Sequence, residues 1–203
     1  MTDKHSAAPD TATRNRNRMM LLVIFALFFG SLFFAGVLRF SGWRPAGMKN
    51  KGELLQPPAD LRALTPKLLD GGDYRWNPVA RTWRIVLAPP ADCAAECAKV
   101  ANDLYKVWEL QGREATRVDV LWLCAATPCA LPAGAPPLPN LRLLQADAGL
   151  RAKLPRVDAV TWSGGRGVPL YLIDPNGFVI LRYAAGADPG DLRSDLAKLL
   201  KLK

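Results

Sequence analysis

Four cysteines form two close pairs in the sequence, and their spacing makes them the residues best suited to chemistry. Cys93 and Cys97 lie in "ADCAAECAKV", and Cys124 and Cys129 lie in "CAATPC". Two neighbouring thiols can form a structural disulfide, act as a redox couple or supply two metal ligands. A zinc site is disfavoured, because neither pair has the CxxC spacing of structural zinc and no histidine is nearby.

The first pair lies where a strand is expected to give way to a helix. The apolar run "WRIVLA" stops at Pro89-Pro90, and a helical pattern follows with Asp92 as its predicted N-cap. The free N–H groups and partial positive charge of a helix N-terminus stabilise a thiolate, which predicts Cys93 as a nucleophile. Cys97 follows one turn later on the same face, so it can close a disulfide with Cys93 or share a metal. A purely structural disulfide is the alternative, although so short a loop stabilises little.

The second pair begins where another buried strand ends. Cys124 closes the segment "TRVDVLWLC", and Cys129 follows in a loop. If this strand and the one before Cys93 are parallel, both pairs lie at the same edge of the sheet. One interpretation is a structural loop disulfide in an oxidising compartment. The other is an auxiliary dithiol that exchanges with Cys93–Cys97.

The predicted elements alternate between strands and helices, which indicates a layered α/β domain with parallel strand pairs. A hairpin around "NPVAR" comes first, with Trp76 and Trp83 on its two strands, and the helix with the first cysteine pair follows it. The remaining elements are a strand, a Pro-rich insertion, a strand with a short helix, a second hairpin and an amphipathic helix, in "TRVDVLWLCAA", "LPAGAPPLP", "LRLLQA", "DAGLRAKL", "VPLYLIDPNGFVILRY" and "DPGDLRSDLAKLLKLK".

An uncharged apolar run, Met19 to Leu38, precedes the domain. At about 1.5 Å per residue it can cross about 30 Å of hydrocarbon. It is longer than the apolar region of a usual signal peptide, and its small residues do not form a cleavage site, which favours an uncleaved anchor. We therefore predict a disordered cytoplasmic tail at 1–18, a transmembrane helix at 19–38, a linker at 39–68 and a folded domain at 69–203.

Basic residues flank the span almost equally, so the positive-inside rule alone does not orient it. A short basic tail before a first helix normally stays in the cytoplasm. This predicts a single-pass protein of a bacterial inner membrane with its domain in the periplasm. The formal net charge is +9, but Lys and Arg are scattered and no nucleic-acid-binding motif occurs. The expected partner is therefore an anionic membrane rather than nucleic acid.

The order strand, CxxxC, helix and a later "VPLYLIDPNG" segment resembles the thioredoxin fold. In that fold a cis-proline begins a strand beside the cysteine pair, and the strand ends at an Asn-Gly or Asp-Gly turn. The resemblance implies a thioredoxin-like three-layer sandwich, a cis Val168–Pro169 bond and convergence of Pro169 with Cys93 and Cys97. With the anchor, the CxxxC spacing and the insertion before "YLIDPNGFV", residues 65–200 resemble the SCO/SenC proteins.

SCO/SenC proteins are membrane-tethered copper chaperones and thiol reductases for cytochrome c oxidase assembly. The resemblance implies that Cys93 and Cys97 are the thiol pair and the copper ligands, and that cytochrome c oxidase subunits or assembly factors are partners. The family completes its copper site with a histidine, but the one histidine of this chain is His5, in the tail. Arg166 falls near the matching place and offers no lone pair, so the implied site is a Cu(I) dithiolate.

Three functions are consistent with the sequence. The first is an SCO-like assembly factor that works by thiol–disulfide exchange and transient Cu(I) handling. The second is a general periplasmic thiol–disulfide oxidoreductase with other clients, and the third is a non-catalytic thioredoxin-fold module that docks onto a membrane complex. Trp162, beside Gly164 and Gly165, is a further candidate for lining the site, whereas packing is the predicted role of Trp76, Trp83, Trp108 and Trp122.

Overall fold

The computed structural model describes residues 11–41, 49–126, 128–159 and 167–202. The chain divides into two compact units, residues 1–48 and 49–203, and each is described by itself. The described part of the first unit is one long helix. The second unit contains a six-stranded sheet together with the helices that pack on it.

The long helix, α1, spans Thr11–Phe40. Within it, Thr13–Phe40 is long and apolar enough to cross a membrane, a property that a signal sequence near an N-terminus shares. Its large apolar side chains are exposed on the protein itself. A helix that is apolar all round is normally buried in a protein core or in a membrane. Residues 11–18 were predicted to be disordered, but they are helical. Once a helix has formed, adding residues to its end costs little free energy compared with nucleating a new one. The rest of the predicted tail, residues 1–10, lies outside the described residues.

The second unit is built on one mixed sheet. Its strands are β1 (Glu53–Asp60), β2 (Trp83–Leu87), β3 (Val118–Leu123), β4 (Leu141–Leu144), β5 (Leu170–Ile173) and β6 (Phe178–Tyr183). In space they follow the order β1-β6-β5-β2-β3-β4. β2 is central, since it pairs in parallel with β3 and antiparallel with β5. The predicted hairpin of β5 and β6 and the predicted parallel pairing of β2 with β3 are confirmed.

Helices cover both faces of this sheet and make the predicted three-layer sandwich. The helices are α2 (Ala94–Glu109), α3 (Ala148–Lys153) and α4 (Pro189–Leu199). Successive strand residues point to opposite faces, which divides the core in two. Ile85 and Leu87 pack with α2 and α4, whereas Val86 and Ala88 pack on the face that α3 covers.

The folded unit begins earlier than residue 69, so the predicted linker 39–68 needs correction. Its second half contains β1, which pairs antiparallel with β6. Pro57 and Pro58 lack backbone N–H groups, and the register shifts between Leu54 and Ala59 where they lie. An edge strand tolerates such residues, because only one side of it must pair.

The predicted hairpin around Trp76 is wrong, because the described residues before β2 form no partner strand. Trp76 donates its Nε1–H to the carbonyl of Leu64 at 2.8 Å and packs edge-on against Tyr74. Arg84 of β2, only 2 % exposed, lies within reach of both rings and donates to the Tyr74 hydroxyl at 2.9 Å. The aromatic residues therefore cover a buried guanidinium instead of pairing across strands.

Both edges of the sheet are protected. Along β1, Pro57 and Pro58 remove two backbone donors and interrupt the regular row of N–H groups of this edge strand. Along β4, residues 67–69 lie beside the strand. There the N–H of Leu69 donates to the carbonyl of Leu143, and the N–H of Gln145 donates to the carbonyl of Lys67, both at 2.8 Å.

A buried carboxylate ties the start of the folded unit to α4. Asp195 is 1 % exposed, and its Oδ2 accepts from the backbone N–H of Lys51 at 2.7 Å and of Gly52 at 2.9 Å. The Tyr183 hydroxyl donates to the same oxygen, and the Lys198 ammonium donates to Oδ1 of Asp195, both at 3.0 Å. Burial by itself raises the pKa of Asp195. The donors together lower this pKa by more than burial raises it, so it lies below its ordinary value.

We expect Asp195→Asn to lower the free energy of unfolding by about 2 kcal/mol at neutral pH, because an amide accepts these hydrogen bonds less well than a carboxylate. The pKa is lower in the folded state, so the stabilisation is complete above the ordinary aspartate value of about 4 and is lost as the pH falls through the folded-state value. The difference between wild type and variant should therefore shrink below about pH 4.

Urea unfolding of the full chain in detergent, followed by tryptophan fluorescence at several pH values, measures this difference. Glu109→Gln is the matched control, because Glu109 is an exposed carboxylate at the end of α2. It should leave stability nearly unchanged at every pH. A constant difference between wild type and Asp195→Asn down to about pH 3 would contradict the assignment.

Candidate redox site

The first cysteine pair lies at the start of α2. After β2 the chain passes through Ala88 and the two prolines into a turn, and the helix begins at Ala94. Cys93 is the N-cap, with φ −89° and ψ 30°, and no side-chain hydrogen bond caps the helix. The prediction of Asp92 as N-cap is therefore wrong by one residue, since the chain turns into the helix only after Cys93.

Cys93 and Cys97 are joined by a disulfide, with their Cα atoms 5.4 Å apart. The backbone supports this approach, because the N–H of Cys97 donates to the carbonyl of Cys93 at 2.7 Å in the first helical turn. The two residues differ in exposure: Cys97 is 1 % exposed and belongs to the core under α2, whereas Cys93 is only partly buried against that core. A reagent from solvent therefore reaches the Cys93 sulfur first.

The second pair, Cys124 and Cys129, is also joined by a disulfide, with a Cα–Cα distance of 5.7 Å. Cys124 directly follows β3 and is 3 % exposed, and its N–H donates to the carbonyl of Leu144 at 3.0 Å. Cys129 lies in the loop beyond and is partly exposed. The pair thus repeats the arrangement of the first, with one sulfur in the core and one towards solvent.

Both disulfides border one surface cleft of about 330 Å³. Cys93, Cys97 and Cys129 contribute to its wall, and so does Trp122, near the end of β3. Asp92 is the one charged residue among the described residues of the wall; the others are small or apolar: Pro89, Pro90, Ala91, Ala125, Ala126, Pro128, Ala130 and Pro132. The surroundings therefore favour contact with uncharged chain segments.

Trp122 is a site residue that the sequence analysis missed. Its predicted role was packing, and it does belong to the core under α2, but it also lines the cleft. The available signal was its position two residues before Cys124. The alternation of β3 puts both side chains on the face that carries α2, at the strand end nearest the cysteines.

The segment before β5 approaches the first turn of α2 through Val168, while the convergence of Pro169 with Cys93 and Cys97 stays a prediction. The N–H of Val168 donates to Oε1 of Glu96 at 3.2 Å, and Val168 shares a core cluster with Cys97. Pro169 itself is buried. The predicted cis bond is wrong: the described residues have a cis peptide before Pro57, and Val168–Pro169 is trans. The trans form of an X–Pro bond is more stable than the cis form by about 0.5–1 kcal/mol.

Trp162, Gly164, Gly165 and Arg166 lie outside the described residues, so their predicted places beside the site stay predictions.

A copper ion would find a restricted set of donors in this domain. The sulfurs of Cys93 and Cys97 are bonded to each other, so they become ligands only after reduction. No group of three or more metal-ligating side chains comes together in the described part of the chain. The one histidine, His5, lies before the span. The donors fit a low-coordinate Cu(I) dithiolate, and they do not fit a site of two cysteines and one histidine.

Three solved structures are similar to this chain in fold. BsSco, a member of the Sco family of cytochrome c oxidase assembly proteins with an identified disulfide switch, is 16% identical, with a TM-score of 0.52 and coverage of 75% of this chain and 98% of its own. A SCO1/SenC family lipoprotein from Bacillus anthracis is 15% identical, with a TM-score of 0.52 and coverage of 72% and 99%. Copper-bound ScoI from Arabidopsis thaliana is 13% identical, with a TM-score of 0.50 and coverage of 75% and 99%.

These likenesses show a thioredoxin-like fold with neighbours in the Sco family. No curated protein sequence matches the chain. Residues 83–203, more than half of the chain, match a family described as "Transmembrane-like, thioredoxin-like, C-terminal domain". The match includes both cysteine pairs and the segment of Val168 and Pro169, and the chain therefore belongs to this transmembrane-like, thioredoxin-like family.

Proposed function

We propose that this protein is a membrane-anchored thiol–disulfide exchange protein whose working pair is Cys93 and Cys97. The observation that carries the proposal is the unequal exposure of the two sulfurs at a helix start. Cys93 is within reach of a partner and Cys97 is 1 % exposed behind it. One sulfur can thus react with a client while the other stays shielded from it.

The exchange proceeds through a mixed disulfide on Cys93. In the oxidising direction, a client thiolate attacks the Cys93 sulfur, the Cys93–Cys97 bond breaks, and Cys97 leaves as a thiolate. A second client thiolate then attacks the client sulfur, which forms the client disulfide and releases Cys93 as a thiolate. In the reducing direction the same steps run backwards, with Cys93 attacking and Cys97 resolving. The N-terminus of α2 stabilises the Cys93 thiolate in both directions.

The proposed clients are proteins of cytochrome c oxidase assembly. Support comes from the fold, which is similar to that of BsSco, and from the membrane-spanning length of α1. A tethered domain meets membrane complexes at a high effective concentration, which suits subunits that are being assembled in the same membrane. The alternative is a general periplasmic oxidoreductase, whose trapped clients would be unrelated to the oxidase.

Cu(I) is a proposed cargo of the reduced pair. Two thiolates one helical turn apart suit this soft ion, and an exposed Cys93 allows handover to another thiolate protein. Cys93 and Cys97 are the residues that would hold it. Cu(II) prefers nitrogen-containing tetragonal sites, which the described residues of the domain do not offer.

We expect Cys97→Ser to accumulate mixed disulfides with client proteins, because the resolving thiol is gone while Cys93 still reacts. Non-reducing electrophoresis of membranes, followed by mass spectrometry of the trapped partners, measures this. Cys93→Ser is the matched control and should trap little. More trapping by Cys93→Ser than by Cys97→Ser would reverse the assigned roles, and trapping by neither would favour a non-catalytic docking module.

We expect protease added to intact spheroplasts to degrade the folded domain, because the proposed orientation puts residues 49–203 in the periplasm. A cytoplasmic protein measured in the same samples controls for lysis. Complete protection of the domain in intact spheroplasts, with degradation after lysis, would contradict the orientation.

We expect the reduced full chain to bind about one Cu(I) and to lose this binding in either Cys93→Ser or Cys97→Ser, because two thiolates are the minimum ligand set. Competition with a Cu(I) chelator measures the affinity. Cys124→Ser is the matched control for a change of thiol number, because this buried cysteine does not line the cleft, and it should keep the site. A strong thiolate-to-Cu(II) absorption band would mean that another residue completes the site.

A further inference from the structure

The second cysteine pair lies at the same edge of the sheet as the first and borders the same cleft. Leu87 at the end of β2 pairs with Trp122 near the end of β3, so the segments that follow the two strands leave the sheet at the same edge. The segment after β2 leads to Cys93, and the segment after β3 begins with Cys124. As a result both disulfides border the same cleft.

Each pair presents its outer sulfur to this cleft. Cys93 and Cys129 are partly exposed and line its wall, whereas Cys97, which also contributes to the wall, and Cys124 are almost fully buried. Thiol–disulfide exchange requires a thiolate to approach one sulfur while the other leaves. The two outer sulfurs are placed for that approach, and the two inner ones are placed to leave or to resolve.

The segment that carries Cys129 can make this approach without loss of regular structure. Residues 125–126 and 128–139 form no helix or strand. The described neighbours of Cys129 in the cleft wall include alanines and prolines, and Asp92, beside Cys93, is the one charged residue among the described residues of that wall. A loop disulfide of this length also contributes little as a structural staple, because it removes little chain entropy from the unfolded state.

We propose that Cys124–Cys129 is a second redox pair, which exchanges electrons with Cys93–Cys97 through a Cys93–Cys129 mixed disulfide. Starting from the reduced second pair, the Cys129 thiolate attacks the Cys93 sulfur, the Cys93–Cys97 bond breaks, and Cys97 leaves as a thiolate that takes up a proton. The Cys124 thiolate then attacks the Cys129 sulfur and releases Cys93. Two electrons pass from the second pair to the first, and no external reagent is consumed.

This relay rests on the proposed thiol exchange at Cys93, and it gives that reaction an internal store of two further electrons. A client disulfide reduced by Cys93 and Cys97 would leave the first pair oxidised, and the second pair would then reduce it again. In the opposite direction, the second disulfide would reoxidise the first pair after a client dithiol has been oxidised.

A double variant of the full chain in detergent tests the central intermediate. Cys97→Ser with Cys124→Ser keeps only the two outer sulfurs, and we expect most molecules to form an internal Cys93–Cys129 disulfide in a glutathione redox buffer. Cys97→Ser with Cys129→Ser is the matched control. It keeps Cys93 and the buried Cys124, so glutathione should be the main partner of Cys93. Alkylation of free thiols followed by non-reducing peptide mass spectrometry identifies each bond.

The outcomes separate the relay from the proposed function. If Cys93 carries glutathione in both variants and no Cys93–Cys129 bond forms, the relay is wrong while exchange at Cys93 stands. If Cys93 reacts with neither glutathione nor Cys129, both ideas fail. Near-ultraviolet circular dichroism of each variant checks that the fold is retained.

A time course on the unmodified sequence covers the case in which the variants do not fold. Fully reduced protein receives enough oxidant for half of its cysteines, and samples are quenched with acid and alkylated at intervals. We expect Cys93–Cys97 to form first and then to redistribute to Cys124–Cys129 at a rate independent of protein concentration. A distribution that does not change, or a rate proportional to protein concentration, overturns an internal relay.

Discussion

The parallel pairing of β2 with β3 is the constraint on which the candidate site depends. β2 is hydrogen-bonded on both sides and buried on both faces, so the position of its carboxyl end is fixed by the core. The in-register partner, β3, ends at the same edge. Any residues that follow the two strands are therefore neighbours, and this chain has a cysteine pair after each of them.

The core also decides which cysteine of each pair is exposed. Cys97 is buried because the inner face of α2 packs on the sheet, and Cys124 is buried because it directly continues β3. Their disulfide partners, Cys93 and Cys129, belong to a helix cap and a loop. Such segments usually lie at the protein surface. The greater exposure of Cys93 is thus a consequence of packing, and the charge of the helix N-terminus would add to the reactivity proposed for it.

Much of this arrangement could be predicted from the sequence, because apolar periodicity and turn residues are local signals. They identified the two buried strands, the helix with CxxxC and the hairpin of β5 and β6 correctly. The failures have long-range causes. Pro57 and Pro58 look like a linker but lie in an edge strand, and Trp76 looks like a hairpin residue but covers Arg84, a contact that no local pattern encodes. The role of Trp122 beside the cleft depends on the neighbouring strand in the same way.

The protected edges of the sheet restrict how a client can bind. Extended peptides often dock by β-augmentation, in which they add a strand to an exposed sheet edge. Here residues 67–69 already occupy the position of an added strand beside β4, and the prolines of β1 interrupt the donors at the other edge. Under the proposed exchange, a client would therefore offer its cysteine through side-chain contacts in the cleft. The same protection removes the usual template for edge-to-edge aggregation between domains held at high local concentration.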